Sequence, residues 1–532
     1  MTVAAGSLDE SARSSSGALP KRSLGALIAI SIFWFALNFH WAALALQLIP
    51  SQVIGLLLQQ APGSTFAAQA AWANDNQGLA QAIVVAPGLI VALLANPFFG
   101  LLSDRTPGRF GRRRPYVLIG TLVNVVGLAV MAFLPTMLGG AHNGSILSPG
   151  LLVLMGGLML VQFANNAAAA PFHALLPDMV PEQQRGLASG IMGLAYWCGT
   201  IGGVVVPALF GFNSTALLDG TQSPAIYQHG IVLAYASTAG VVLLMAILTF
   251  IFVRERPWQS SMMSLEQRQA QRHTLRDLGL TLVALAALVG AVFLILGIAG
   301  QSLNADGMSY LQIIGVAIAM LGAAFAFDFR PRRNPDFTWV VLTRMLVMMG
   351  VYLAENFIKF YLQDVAHAPN PESATAMFTV LLVVAATAST LFAGWASDHI
   401  GRKRLVYISG SFMAVVGAVF VIAPFVFPGN VLTVALIMGA VFGLGFGAYV
   451  SVDWALVADV LPSEETFARD MGIWNTALTL PQVLAFVFGG WLLAFGVASG
   501  NRDLGYTLLF AFLVVFCVLG TVIVRFIRGV KR

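Results

Sequence analysis

The sequence predicts an all-α, polytopic membrane protein: two related six-helix bundles with a two-helix hairpin inserted between them, fourteen transmembrane helices in all. Three observations predict it. Of 532 residues, 58% are hydrophobic and 10% charged, against roughly 25% charged in soluble domains. The apolar residues gather into runs of about 20, the length that crosses a bilayer as a helix. The charged residues that remain are distributed unevenly between the two faces those runs define.

Taken in order, the candidate spans are 24–49, 78–102, 115–138, 149–175, 187–210 and 230–253, then 278–300 and 309–327. Six more follow at 337–362, 374–396, 405–427, 431–457, 471–497 and 504–524. With both termini on the cytoplasmic side, the tails and inner loops collect 25 of the 28 Lys and Arg residues. Arg344 and Lys359 fall inside spans, and Arg502 alone falls outside. Dropping any one span would invert every later loop and destroy that asymmetry, so the basic excess reads as topology. It does not call for nucleic acid.

The two halves echo each other. Residues 100–114 read GLLSDRTPGRFGRRR and residues 394–404 read GWASDHIGRKR. Both join the second and third helix of a half. Asp178-Met179-Val180-Pro181 before Arg185 is matched by Asp459-Val460-Leu461-Pro462 before Arg469. The copies stand further apart than six helices require, and the surplus is about one hairpin. The segments are therefore a cytoplasmic tail (1–23), a first bundle (24–253), a cytoplasmic loop (254–277), the hairpin (278–329), a linker (330–336), a second bundle (337–524) and a cytoplasmic tail (525–532). Parallel repeats of this kind point to the major facilitator fold. Carboxylate–guanidinium pairs at the repeated loops can latch the halves in one state and release them in another. The candidates are Asp104, Arg112, Asp178, Arg185, Asp398, Arg402, Asp459 and Arg469. The competing reading is that these arginines only hold the loops inside.

Several stretches resemble the plant sucrose transporters and their animal and bacterial relatives. They are Arg109-Phe110-Gly111-Arg112-Arg113-Arg114-Pro115, then Ala164-Asn165-Asn166 with Pro171, Ala174-Leu175-Leu176 and Asp178, and then Gly472, Asn475, Pro481 and Gln482. Phe39, Trp41 and Pro50 match more weakly. The resemblance covers both bundles and not the hairpin. It implies transport of a disaccharide or related glycoside, usually with protons. The chain departs from the family by having Gln162 for an aspartate to which proton coupling is attributed, His173 for an arginine, and the added hairpin.

Polar residues inside spans are costly and mark function by default. Asn165 and Asn166 can bridge helices or bind sugar hydroxyls, because an amide both donates and accepts. His40, Trp41, Trp474, Asn475 and Gln482 complete the candidate solute site, with Trp197 a further aromatic candidate; aromatic faces suit pyranose rings and equally suit plain packing. Asp453, Glu355 and Lys359 are the candidate coupling groups. Glu355 and Lys359, four apart, are expected to pair with each other. Asp453 has no partner at helical spacing but Tyr449, and is the first choice for coupling. His173 is either a satisfied interface residue or a protonatable gate.

The two cysteines, Cys198 and Cys517, permit no disulfide framework, and there is no metal spacing, catalytic triad or nucleotide loop. The first 20 residues lack the apolar core of a signal peptide. The reading is a cation-coupled sugar or glycoside transporter. It is expected to be a monomer in the plasma membrane, to use a proton or sodium ion, and to need no cofactor. An exporter of amphiphiles or a non-transporting sensor is the alternative, and an enzyme is not expected.

Overall fold

In a bilayer the backbone must satisfy its own hydrogen bonds, and this chain does so as helices. The computed structural model describes residues 21–255 and 334–528, apart from 106–109, 139–143, 174, 176–178 and 461–466. Among the described residues there is no strand. The expected hairpin, with most of the loop and linker flanking it, lies outside the described residues, as do residues 1–20 and 529–532 of the tails.

The first six helices are α1 (Leu24–Gln60), α2 (Phe66–Arg105), α3 (Arg114–Met137), α4 (Pro149–His173), α5 (Glu182–Ala208) and α6 (Pro224–Phe252). A short helix, Ser214–Leu218, bridges α5 and α6. The second six are α7 (Pro335–Asp364), α8 (Pro371–Ile400), α9 (Arg402–Val426), α10 (Val431–Val460), α11 (Phe467–Ala498) and α12 (Arg502–Ile523). Eleven are long and apolar enough to cross a membrane. The other, α2, has a polar end at Asn74, Asp75, Asn76 and Gln77. Starts are marked by the expected residues. Ser223 and Asn501 accept from backbone amides of the first turns of α6 and α12, and Pro224 follows at once.

One expected boundary is wrong. The sequence reading ends the first span at Ile49, before Pro50, yet α1 runs on to Gln60. Residues Ala43–Leu48 widen into a π segment, in which the Ile49 amide donates to Leu44 O. The wider turn brings Pro50 in as the start of a new α segment, where its missing N–H costs nothing.

The repeat is visible in the packing. Contacts α1–α5, α1–α6, α2–α4, α3–α4 and α3–α6 recur as α7–α11, α7–α12, α8–α10, α9–α10 and α9–α12. The two bundles meet through α2–α11 and α5–α8, a symmetric pair. Small residues allow the close crossings. A Cβ on Gly203 would stand 2.2 Å from Phe39 O, and one on Gly443 would stand 2.1 Å from Leu382 O. Gly111 and Gly401, at equivalent places in the repeated loops, have φ of +91° and +95°. That backbone state favours glycine.

The two ends of the described chain, near Arg22 and Arg528, lie on one face with the first basic loop. Arg22 donates to Met179 O at 3.0 Å, and the Arg528 amide donates to Asp336 at 2.9 Å. We call the opposite side the distal face.

Candidate functional site

The interior of the C-terminal bundle holds two buried ion pairs, and both differ from expectation. Asp453 on α10 is paired, not alone. Arg344 of α7 donates to its Oδ2, Tyr449 Oη lies 3.4 Å from its Oδ1, and the Arg344 guanidinium lies over the Trp474 ring at 3.3 Å. Lys359 pairs with Glu372 of α8 at 2.9 Å, not with Glu355. The helical i,i+4 spacing brings Glu355 and Lys359 close, but a residue on another helix claims the ammonium.

Glu355 is thereby left without a salt bridge among the described residues, and its side chain is exposed. It lies between the halves: Tyr196 of α5 and Tyr352 are near enough to feel its charge. A carboxylate at that depth of a span is costly against lipid, and such groups turn to a bundle interior or a cavity.

The two asparagines separate. Asn166 donates to Gln162 O at 2.8 Å and accepts from Asn96 of α2 at 3.0 Å, so its amide is spent on packing. Asn165, 6% exposed, makes no hydrogen bond with its side chain among the described residues. Its amide is open to a solute. Gln162 is buried, its Cγ against Gly88 of α2, and titrates nothing.

The other candidate ligands divide similarly. Trp41 is half-buried, edge-on to His40 at 4.9 Å. His40 is 0% exposed, and neither ring nitrogen makes a hydrogen bond within bonding geometry among the described residues. Trp474 is 0% exposed with Arg344 over its face. Neither His40 nor Trp474 lines open space in this conformation, contrary to expectation: the first is sealed within its bundle, the second covered by a cation. Trp197 packs on Val383 and Ala386 of α8 across the bundle boundary, a packing role. Gln482 is half-buried, and the Asn475 side chain lies outside the described residues. His173 stacks on Trp34 at 4.6 Å and 11°.

Of the gating candidates, the side chains of Asp104, Asp178, Arg185, Asp398, Asp459 and Arg469 also lie outside the described residues. Arg112 and Arg402 are half-exposed. The first basic loop is held within its own bundle. Arg113 donates to Ser103 at 2.6 Å, and the Arg113 and Arg114 amides each donate to Glu255 at 2.9 Å.

The sequence reading has no counterpart for what joins the bundles. Hydrogen bonds between the halves gather at the distal face. Gln363 donates to Asn74 at 3.0 Å, Gln77 to Asp364 at 3.1 Å, and Gln81 to Asn356 O at 3.3 Å. Arg502 bonds Asp364 at 2.8 Å and Asp75 at 3.2 Å. Glu372 reaches Ser51 and Ser214. The distal face is closed. The one basic residue expected on the outer side, Arg502, is the one signal in the sequence for this clasp.

Among the described residues, twelve long helices in two repeated bundles define a multi-pass membrane protein of the major facilitator type. The family described as Major Facilitator Superfamily matches residues 340–532, and the one described as MFS/sugar transport protein matches 79–277. Each bundle thus matches a major facilitator family model over most of its length. It is 30% identical over 122 residues to a sucrose transport protein of Arabidopsis thaliana, covering 21% of this chain and 20% of that one. It is 30% identical over 179 residues to proton-associated sugar transporter A of Homo sapiens, covering 32% and 22%. It is 28% identical over 176 residues to a general alpha-glucoside permease of Schizosaccharomyces pombe, covering 33% and 30%. The matches thus span less than a third of these relatives' lengths. All three are transporters, not enzymes, by name. In fold it is similar to a POT family transporter in complex with 5-aminolevulinic acid, with TM-score 0.67 at 13% identity, covering 95% of this chain and 97% of that one. A D-xylose-proton symporter gives TM-score 0.60 at 17% identity, covering 96% and 99%.

Proposed function

We propose that this chain carries a sugar or glycoside across the plasma membrane by alternating access, coupled to protons, with its basic face in the cytoplasm. The observation that carries the solute class is Asn165, a largely buried amide with no hydrogen-bond partner among the described residues. Such a group recognises hydroxyls, which both donate and accept. The names of the curated relatives support the same class. An exporter of amphiphiles wants mostly apolar walls, against which Asn165 and Glu355 argue.

Coupling requires a group that changes charge, and Gln162 does not. Asp453 is engaged by Arg344, and Lys359 by Glu372. Glu355 is the carboxylate with space around it, so it takes the coupling role in place of Asp453. The fold gives alternating access a basis. The bundles meet mainly along two helix pairs and, in this state, are clasped at one face. The monomer is a sufficient unit, since each half is the other's partner.

The test is uptake of radiolabelled mono- and disaccharides into proteoliposomes, with and without an inward proton gradient. One or more sugars should accumulate only with the gradient. If none enters, while an amphiphilic dye is moved, the exporter reading replaces this one.

A further inference from the structure

The distal end of the first bundle encloses a cavity of about 210 Å³, inside that bundle rather than between the two. α1 lines it with Gly55, Leu56 and Leu58, and α6 with Pro224 and the ring of Tyr227. Phe66, at the start of α2, lies over Gly220: a Cβ there would stand 3.1 Å from its ring. Leu217 of the short helix completes the apolar lining. Phe66 and Pro224 are exposed and mark the mouth. Part of the polar lining is already satisfied. Gln52 donates to Met131 O at 2.6 Å and accepts from Tyr235 at 2.6 Å.

The rest is not. Gln59 Oε1 and Thr136 Oγ1 are buried at the cavity with no hydrogen-bond partner among the described residues. Gln228 donates to Ala132 O at 3.1 Å and Gln69 to Gly63 O at 3.0 Å, and both keep their Oε1 for another donor. Buried polar atoms left unpaired are costly, and these stand ready for a ligand. No charged residue lines the cavity, so an ion or a phosphate head group finds no counter-charge. Apolar walls with a few placed amides and hydroxyls suit a neutral molecule that has both kinds of surface. A sugar ring carries hydroxyls on its rim and C–H groups on its faces. Drug-sized ligands fill about 300–1,000 Å³, so this occupant is smaller, one ring and not two.

We propose that this cavity is an accessory binding site for a neutral polyol of monosaccharide size, reached from the distal water and separate from the solute path at Asn165 and Glu355. Every lining residue belongs to one bundle, so the site stays whole when the bundles move as rigid bodies. An occupant lies against Tyr227, whose hydroxyl is 2.9 Å from both Ser51 O and Ser214 Oγ. Those two serines meet Glu372 of the other bundle. The site therefore adjoins the joint between the bundles without forming part of it, and its ligand need not be the solute that is carried.

The experiment uses the full chain in lipid nanodiscs, with Cys198→Ser to remove the exposed thiol and Thr136→Cys as a reporter inside the cavity. A small membrane-impermeant thiol reagent is added with increasing D-glucose, and with sucrose as a probe too large for the cavity. Glucose should slow the reaction in a saturable way, and sucrose should not. Gln59→Leu should raise the half-protecting glucose concentration about two- to tenfold, as one lost hydrogen bond implies, whereas Asn165→Ala should leave it unchanged. Gly55→Leu should abolish the protection. A Cβ at Gly55 stands 3.5 Å from Tyr227 Cε1, an ordinary contact, so the leucine fills the cavity and also favours the helix, which guards against misfolding. Reaction rates that glucose does not change overturn the proposal, as does equal protection by sucrose or protection that survives Gly55→Leu. A shift in Asn165→Ala overturns it as well, because the sugar then acts from the path between the bundles, which supports the proposed solute site. Protection needs no transport, so the result stands whatever solute the chain carries.

Discussion

The two bundles share one plan of helix contacts but not one chemistry. In the N-terminal bundle the buried polar groups of the membrane interior are amides, hydroxyls and an imidazole: Gln47, Gln52, Asn124, Gln162, Asn165, Asn166 and His40. In the C-terminal bundle they include the pairs Arg344–Asp453 and Lys359–Glu372, and its α7 carries the unpaired Glu355. Duplicated backbone geometry therefore does not duplicate function. Packing depends on small and apolar residues at repeated positions. Charges can be confined to one copy as long as each finds a partner or a polar space. On the proposed function, the difference is a division of labour: a neutral half for the hydroxyls of the solute, and a charged half for protons.

The comparison breaks most sharply at Asp453. Asp453→Asn leaves the Arg344 guanidinium buried without its anion, and removing one member of a buried pair costs about 3–5 kcal/mol. Thermal melting should show a large loss, with little folded protein in the membrane. Replacing both, with Arg344→Met and Asp453→Leu, should recover most of it. If Asp453→Asn melts like the parent and loses only accumulation, the pair is not structural and Asp453 regains the coupling role.

Glu355 sharpens the comparison from the other side. Glu355→Gln should melt like the parent yet fail to concentrate solute, while counterflow exchange persists. A gradient of one pH unit with one proton per solute supports about tenfold accumulation; the variant should equilibrate at one. Accumulation at the parent level would return the proton to another group.

The smallest effects are expected in the neutral half. Asn165→Ala should weaken apparent affinity about two- to tenfold, as one lost hydrogen bond of roughly 0.5–1.5 kcal/mol implies, at unchanged stability. Asn166→Ala should do the reverse, costing about 1 kcal/mol in stability and leaving affinity alone. Competition binding and melting on the same samples separate them. Equal behaviour of the two variants would remove the distinction between a solute amide and a packing amide.

The spans and the repeat were legible because they depend on quantities summed along the chain, apolar length and the side of each arginine. The pairings were not. Arg344 and Asp453 are 109 residues apart, and no spacing rule on one helix connects them. Glu372 was missed by a margin of two residues: the expected span began at Ala374, so an acidic residue inside the helix was assigned to a loop. Helix ends are where sequence patterns are weakest, and here one end holds the carboxylate that pairs with Lys359. Asn165 and Asn166 were found together but could not be told apart, since neighbours on a helix point about 100° from each other.

The π segment of α1 also bears on how this chain should be aligned with others. A π turn holds one more residue than an α turn, so a protein with a straight first helix would register here with a one-residue gap between Ala43 and Leu48. Aligned without the gap, every later position of α1 is misassigned by about 100° of rotation. Ser51, which meets Glu372, and Gln52, which accepts from Tyr235 at 2.6 Å, would then be compared with residues that point elsewhere.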